Sequence, residues 1–321
     1  MTSIILDVDT GIDDALAIAT AARSDSIDLV ACTVVWGNVD VEQGARNTSQ
    51  ILALAGRADV PVAVGAAGPY GGGDAWYSAH VHGADGQGGC ADLDHVPALA
   101  DESAVETILR ASHAVQDLEL VAVGPLTNLA LALDADPTLP ERIRQVTVMG
   151  GAVLRRGNVS EFAEANIHHD PEAAARVLEA AWEVTLVGLD VTTSSIITDD
   201  MRARLAAGDA LGRQLARMLD GYMDFYEPLL GMRAALNHDA VALGIATGLV
   251  RTTRSPLATV TVDCSDGPER GRTRATLELV DGAWRDEPEA RHRVVLEVGY
   301  GFEEQMVELI AGPSTSETTG E

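Results

Sequence analysis

Short, uninterrupted apolar runs alternate with longer amphipathic stretches through the first half of the chain. Runs rich in Val, Ile and Leu are typical of parallel strands buried on both faces, and the amphipathic stretches are typical of the helices that cover them. The predicted strands are 4–8, 29–35, 60–64, 118–123, 146–149 and 184–189, and the predicted helices are 13–22, 41–55, 103–114, 127–133 and 171–181. This alternation predicts an α/β fold with an open, mostly parallel central sheet and helices on both faces.

The second half of the chain shows a different pattern. Helices are predicted at 201–226, 238–247 and 302–310, and strands of alternating polarity at 258–262, 275–280 and 293–298. These strands predict a small C-terminal antiparallel appendage. No linker composition interrupts the pattern, so residues 1–311 are expected to form a single domain. The Ser/Thr/Gly-rich residues 312–321 are expected to be disordered.

The charge balance excludes several classes of partner. The chain has 49 acidic and 22 basic residues, a net charge of −27, and all of its basic residues are Arg. Such a charge disfavours nucleic acid and anionic membrane surfaces, and no apolar run is long enough to span a bilayer. The three widely spaced cysteines, Cys32, Cys90 and Cys264, form no disulfide or thiolate-metal pattern. Without a signal-peptide pattern at the start, the sequence predicts a cytoplasmic protein.

Four carboxylates follow the first predicted strand, in the segment D-V-D-T-G-I-D-D-A at 7–15. Asp7 and Asp9 share one face of the strand, and Asp13 and Asp14 begin a helix, where the helix dipole favours acids. In a parallel sheet this strand end is also where ligands bind. Crowded carboxylates repel one another unless a cation neutralises them, and their oxygens suit Ca²⁺ or Mg²⁺. The segment therefore predicts a site for a hard divalent cation.

The same segment fits two enzyme families. Its first part matches the D-x-D-x-[TV] motif of haloacid-dehalogenase-like phosphatases, in which Asp7 would be the nucleophile of a Mg²⁺-dependent reaction. Those enzymes also use a later basic residue, usually Lys, to hold the phosphate, and this chain has no Lys. The phosphatase hypothesis would therefore require an Arg to hold the phosphate.

Further segments, spread in order from residue 4 to about residue 245, favour the other family. They are V-W-G-N-V at 35–39, H-G-A-D-G-Q-G-G at 82–89, G-P-L-T-N-L-A at 124–130, M-G-G at 149–151, E-A-N at 164–166, D-P-E-A-A at 170–174 and N-H-D-A at 237–240. Together with 7–15 they resemble the inosine–uridine-preferring nucleoside hydrolase family. The resemblance implies an enzyme that hydrolyses the N-glycosidic bond of ribonucleosides, with a pyrimidine or a mixed uridine, cytidine and inosine preference.

The resemblance also implies a metal centre. The ligands of a Ca²⁺ would be the side chains of Asp9, Asp14 and Asp239 and the backbone carbonyl of Thr127, with Asp7 near the metal. Asp9 would also act as the general base toward a metal-bound water. A non-catalytic nucleoside binder is a third hypothesis, but it predicts the loss of a metal ligand or of the base. All of these residues are present.

The remaining site residues follow from the same resemblance. Those implied to bind ribose are Asp13, Asn38, Met149, Asn158, Glu164 and Asn166. His82 and His238 are implied to protonate the leaving base, and Tyr226, with Tyr222, to close over it. Four other histidines, His80, His95, His168 and His169, are interpreted as surface residues. Members of this family form dimers and tetramers, so the resemblance implies a homodimer or homotetramer.

Two segments depart from the family pattern. Residues 69–76 are looser than the usual stretch, and Gln87 stands where the glycine-rich loop more often has an apolar residue. Both lie toward the base side of the expected site, so they bear on base specificity more than on metal or ribose binding.

Overall fold

The computed structural model describes residues 1–311, so the predicted tail at 312–321 lies outside the described residues. The helices are α1 Ile12–Arg23, α2 Val41–Leu54, α3 Ala79–His82, α4 Ala104–Ala114, α5 Thr127–Ala135, α6 Ala165–His169, α7 Pro171–Glu179, α8 Leu189–Thr192, α9 Asp199–Ala207, α10 Ala210–Leu230, α11 Asp239–Thr247 and α12 Phe302–Ala311, with a 3₁₀ turn at Leu139–Glu141. Among these residues, no helix is both long and apolar enough to cross a bilayer.

The strands that precede the C-terminal region are β1 Thr2–Val8, β2 Ile27–Val34, β3 Val62–Val64, β4 Glu119–Ala122, β5 Gln145–Met149, β6 Val184–Val187, β7 Ile196–Thr198 and β8 Ala234–Leu236. Those that follow are β9 Thr252–Arg254, β10 Leu257–Ala258, β11 Val260–Val262, β12 Thr273–Ala275, β13 Glu278–Val280, β14 Ala283–Arg285, β15 His292–Val294 and β16 Glu297–Val298.

One eight-stranded sheet organises the molecule, in the order β10-β15-β6-β5-β4-β1-β2-β3. All neighbours in it pair in parallel except β10 and β15. Along β1 the side chains alternate between the faces, since Ile4, Leu6 and Val8 join one apolar core and Ile5 joins the other. The predicted fold class is confirmed: a mostly parallel sheet with a buried core on each face.

The C-terminal region differs in detail from the prediction. Antiparallel pairs β11–β12, β13–β14 and β9–β16 form the appendage, but β15 leaves it and pairs in parallel with β6. The helix predicted at 201–226 is two helices, α9 and α10. The break has a local cause, because Asp209 caps α10 by accepting a 3.1 Å hydrogen bond from the Gly212 N–H.

Candidate active site

A cavity of about 340 Å³ opens at the carboxyl edge of the sheet, where the order of strands reverses around β1. Its lining comes from segments far apart in sequence: Asp13, Asn38, Trp76, Ser78, His80, Val81, His82, Val123, Met149, Asn158, Val159, Glu164, Ala165, Asn166, Tyr222, Phe225, Tyr226, Leu229, His238 and Asp239. Each residue implied to bind ribose is in this list, and so are His82, His238 and Tyr226. Asp9, Asp14 and Thr127 are not.

Three buried carboxylates meet at the bottom of the cavity. Asp13 and Asp14 begin α1, Asp239 begins α11, and their carboxylate oxygens lie within 4.8 Å of one another. Asp14 is held by 3.1 Å and 2.9 Å hydrogen bonds from the backbone N–H groups of Asp9 and Gly11. The cluster contains Asp13, which the resemblance assigns to ribose, and leaves Asp9 at its edge.

Asp9 is buried beside this cluster in a fixed orientation. Its carboxylate accepts a 2.8 Å hydrogen bond from the backbone N–H of Asn38 and a 3.2 Å bond from the Asn38 side-chain amide. The same amide also donates to Asp14, at 3.2 Å. Glycine at position 37 makes this packing possible, because a Cβ there would lie 2.1 Å from Asp9 Oδ2. Asn38 thus connects two of the three carboxylates that the family resemblance assigns to the metal.

Burial perturbs all four of these acids. It raises the pKa of Asp13 to about 7, and repulsion from Asp14 adds to the effect. Burial likewise raises the pKa of Asp14, and it raises those of Asp9 and Asp239 well above the ordinary value, again with repulsion from neighbouring acids. The donor set consists of carboxylate oxygens alone, which is the chemistry that a hard divalent cation requires. The residues therefore fit such a cation.

Thr127 does not line the cavity, and its place at the start of α5 does not favour its assignment as a carbonyl ligand. It is the first residue of α5, so its carbonyl points along the helix toward the next turn. Its hydroxyl donates to Asp170 at 2.7 Å and accepts from the Trp36 indole at 3.1 Å. Val123, at the end of β4, lines the cavity instead. Its carbonyl accepts a 2.8 Å hydrogen bond from Asn166 Nδ2.

Asp7 is also withdrawn from the cavity. It is 1% exposed and accepts hydrogen bonds from Thr33 at 2.5 Å and from the Asn128 amide at 2.8 Å. Burial raises its pKa to about 7. An enclosed, partly neutral carboxyl group is a poor nucleophile, so the geometry does not support the phosphatase hypothesis.

Four of the residues assigned to ribose form the wall next to β5, namely Met149, Asn158, Glu164 and Asn166. Glu164 caps α6 through bonds of 2.9 Å and 3.1 Å from the backbone N–H groups of Asn166 and Ile167. The Asn166 amide donates to the Val123 and Met149 carbonyls at 2.8 Å and 3.1 Å. Asn158 lies at the exposed rim, where it accepts a 2.9 Å bond from the Ala165 N–H. This wall presents oxygen and amide groups at fixed positions to a bound molecule.

The opposite wall is aromatic and carries the two histidines. His82 Nδ1 accepts a 3.1 Å hydrogen bond from the Ile12 N–H, which leaves the proton on Nε2. His238 lies 2.8 Å from the Thr192 hydroxyl through Nδ1 and 3.2 Å from the Tyr226 hydroxyl through Nε2. Burial lowers the pKa of His82 to about 3 and that of His238 to about 4. Both rings are therefore neutral at pH 7 and would donate as imidazoles rather than as imidazolium ions.

Part of this wall was not predicted from the sequence. Trp76 lines the cavity and stacks on His169 at a centroid distance of 3.7 Å. His169, interpreted as a surface residue, is 5% exposed. Phe225 also lines the cavity, one residue before Tyr226. Trp76 ends the segment 69–76 that departs from the family pattern, and that departure was the available signal.

Comparison with known proteins agrees with the site. The family model described as inosine-uridine preferring nucleoside hydrolase matches residues 4–301. The chain belongs to this family. The resemblance found in the sequence is thereby confirmed, and the chain is a ribonucleoside hydrolase that cleaves N-glycosidic bonds.

Individual relatives support the same assignment. A non-specific ribonucleoside hydrolase from Escherichia coli is 41% identical over 220 residues, which cover 68% of this chain and 71% of the relative. The inosine-uridine preferring nucleoside hydrolase of Crithidia fasciculata is 36% identical over 260 residues, covering 79% of this chain and 82% of its own. A purine-preferring ribonucleoside hydrolase from Gardnerella vaginalis superposes with a TM-score of 0.86 at 32% identity, covering 97% of this chain and 98% of that one.

Proposed function

We propose that this hydrolase uses Ca²⁺ and cleaves uridine, cytidine and inosine with a pyrimidine or mixed preference. The observation that carries the proposal is the cluster of buried carboxylates at the bottom of a cavity whose walls offer polar groups on one side and aromatic rings on the other. The proposed metal ligands are Asp9, Asp14, Asp239 and the Val123 carbonyl, which replaces Thr127. The bound cation would supply a site for the ribose diol and a water of lowered pKa.

Asp9 is proposed as the general base. Both Asn38 hydrogen bonds fix its carboxylate, so its orientation costs little at the moment of reaction. A carboxylate at this position can accept a proton from water, and an amide could not. Asp9 therefore combines a fixed position with the capacity to accept a proton.

The ribosyl group would lie between the acids and the β5 wall. Asp13, Asn38 and Asn166 are proposed to bind its hydroxyls, with Asn158 and Glu164 at the outer side and Met149 packed against the ring. Loss of the base leaves oxocarbenium-like positive charge on the sugar. The surrounding carboxylates would stabilise that charge more than they stabilise the neutral substrate, which lowers the barrier.

The leaving base is proposed to lie against the aromatic wall. His82 Nε2 and the Tyr226–His238 pair offer hydrogen-bond donors to a base that acquires negative charge. Trp76 and Phe225 offer flat apolar surface to the base. No donor set here is unique to one base. The relatives likewise include proteins named uridine nucleosidases and non-specific hydrolases, which supports a mixed preference.

Three further properties are proposed: the compartment, the oligomeric state and the partner. Three free cysteines suit a reducing compartment, so we place the protein in the cytoplasm, where it would return bases and ribose to salvage. A homodimer or homotetramer is proposed from the family resemblance. The partner expected from the site is the free nucleoside, since a chain of charge −27 repels nucleic acid.

Steady-state assays on uridine, cytidine, inosine and 2′-deoxyuridine test the proposal. We expect free base and ribose from the three ribonucleosides, a large loss in kcat/KM on the deoxynucleoside, no activity in excess chelator, and recovery with Ca²⁺. p-Nitrophenyl phosphate serves as the control for phosphatase activity. Full turnover by protein that contains no metal by elemental analysis would contradict the metal assignment.

A further inference from the structure

A buried glutamine pair joins the glycine-rich loop behind His82 to α10. Gln87 in the loop is 0% exposed and Gln214 on α10 is 2% exposed. Gln214 Nε2 donates to Gln87 Oε1 at 2.9 Å and to the Cys90 carbonyl at 2.8 Å. A side-chain amide with no exposure needs partners for its polar atoms, and these bonds supply them. The pair therefore fixes one element relative to the other.

The loop contacts α10 along a single ridge of that helix. Gln214, Met218, Tyr222 and Tyr226 are spaced four residues apart on α10 and are all buried. Gln214 binds Gln87, and the Met218 carbonyl approaches Gly88 so closely that a Cβ there would lie 3.3 Å from it. One turn further on, the Tyr222 ring lies 5.4 Å from the His82 ring, centroid to centroid. The position of the loop along this ridge thus sets the position of His82 against Tyr222.

The loop itself is compact, so a displacement at Gln87 would be transmitted to His82. Gly88 N–H donates to the His82 carbonyl at 2.8 Å, which closes the loop on itself. Asp85 accepts from the backbone N–H groups of Gln87, Gly89 and Ala91 at 3.0, 2.9 and 2.9 Å. A third glutamine, Gln50 on α2, makes only a long contact with Gln87, at 3.4 Å.

We propose that Gln87 and Gln214 are positioning residues for the leaving-group side of the site. Their hydrogen bond holds the glycine-rich loop in register with α10, so that His82 and Tyr222 face the departing base together. The inference rests on the proposed role of His82 toward that base. It assigns a function to the polar residue at position 87, which the metal and ribose chemistry does not use.

The test compares Gln87→Leu and Gln214→Leu with the control Gln116→Leu, which changes an exposed glutamine outside the loop and α10. Misplacing a catalytic group by about 1 Å lowers turnover by up to roughly 100-fold. We expect a loss of roughly 10- to 100-fold in kcat on uridine and inosine for both variants, and a change of less than about threefold on p-nitrophenyl riboside, whose leaving group needs no such assistance. The double variant should lose little more than either single variant, because both remove the same bond. Gln116→Leu should resemble the parent.

Hydrogen exchange of residues 82–91 provides a second measurement, with faster exchange expected in both variants and not in Gln116→Leu. Should Gln214→Leu fail to fold, Gln214→Met keeps the volume and takes its place. Equal losses on both substrates, or unchanged kcat and exchange, overturn the proposal. His82→Ala separates the two assignments. If it is selective for natural substrates and Gln87→Leu is not, only the positioning role fails. If His82→Ala is not selective, its proposed leaving-group role fails, and the glutamine pair is then structural only.

Discussion

Removal of the proposed cation should make the stability of this protein fall steeply as pH rises. Burial and the neighbouring Asp14 raise the pKa of Asp13 from 3.8 to about 7. A carboxyl group whose pKa is raised by folding stabilises the folded state while it is protonated. That contribution is complete below about pH 4 and is lost as pH rises through 7. The change in the pKa of Asp13 from 3.8 to about 7, at 1.36 kcal/mol per pKa unit, corresponds to about 4 kcal/mol of folding free energy.

This loss is a large fraction of the 5–15 kcal/mol that stabilise a typical domain. Asp9, Asp14 and Asp239 are shifted in the same direction, but the four acids titrate together. We therefore take about 4 kcal/mol as the scale for the whole cluster rather than adding four contributions. The entropy of unfolding is roughly 2.1 cal/mol/K per residue, so 1 kcal/mol corresponds to roughly 1.5 °C for 321 residues, and the midpoint of thermal unfolding should fall by about 6 °C.

Thermal unfolding between pH 4 and pH 8, in excess chelator and in saturating Ca²⁺, measures this effect. The cation should flatten the curve, because it stabilises the ionised acids and binds only the folded state. Asp7 and the buried histidines lie outside the proposed ligand set, so their contributions are similar in both conditions and cancel in the difference. In chelator at pH 8, Asp13→Asn should unfold at a higher temperature than the parent, and the exposed Asp25→Asn should not. Parallel curves in chelator and Ca²⁺ would refute the reasoning.

Three further predictions concern catalysis. Asp9→Asn should lower kcat by about 10²–10⁴-fold while the fold stays intact by circular dichroism, and near-normal turnover would exclude Asp9 as the base. Gly37→Ala should lower kcat at least tenfold, because its Cβ would lie 2.1 Å from Asp9 Oδ2, whereas Gly68→Ala, with no atom within 4 Å, should be unaffected. His238→Ala should slow uridine and inosine hydrolysis by about 10²–10⁴-fold and leave p-nitrophenyl riboside nearly unchanged; equal losses on both would indicate a structural role.

The sequence predicted the central sheet well because its strands are buried on both faces. The apolar runs at 4–8 and 118–123 correspond to β1 and β4 within a few residues. Strands of two or three residues in the last quarter carry little periodic signal. The pairing of β15 with β6 joins residues more than 100 positions apart, for example Arg293 with Thr185. A local pattern contains no information about such a contact.

The acidic part of the site could be predicted from the sequence because Asp9, Asp13 and Asp14 lie within a segment of six residues. Asp239 follows from the family resemblance alone, since nothing in its own neighbourhood indicates a metal. The aromatic wall was only partly predicted. The Trp76–His169 stack joins a loop residue to the last residue of α6, and its centroid distance of 3.7 Å depends on how both pack over the sheet edge. Base-facing contacts are therefore the part of the site least accessible to reasoning from sequence.

The proposed replacement of Thr127 by Val123 illustrates why a backbone ligand is hard to assign from sequence. A carbonyl ligand places no demand on its own side chain, so its position is set by where the strand ends. Here β4 ends at Ala122, and the Val123 N–H still donates to the Asp7 carbonyl at 2.8 Å. Gly124 then passes close to Asp9, where a Cβ would lie 3.1 Å from that side chain. The polar residue in the motif, Thr127, already lies in α5 and binds Asp170. A metal site can therefore use the backbone carbonyl of a residue whose side chain gives no signal in the sequence. Such a residue is identified only by the position at which the strand ends.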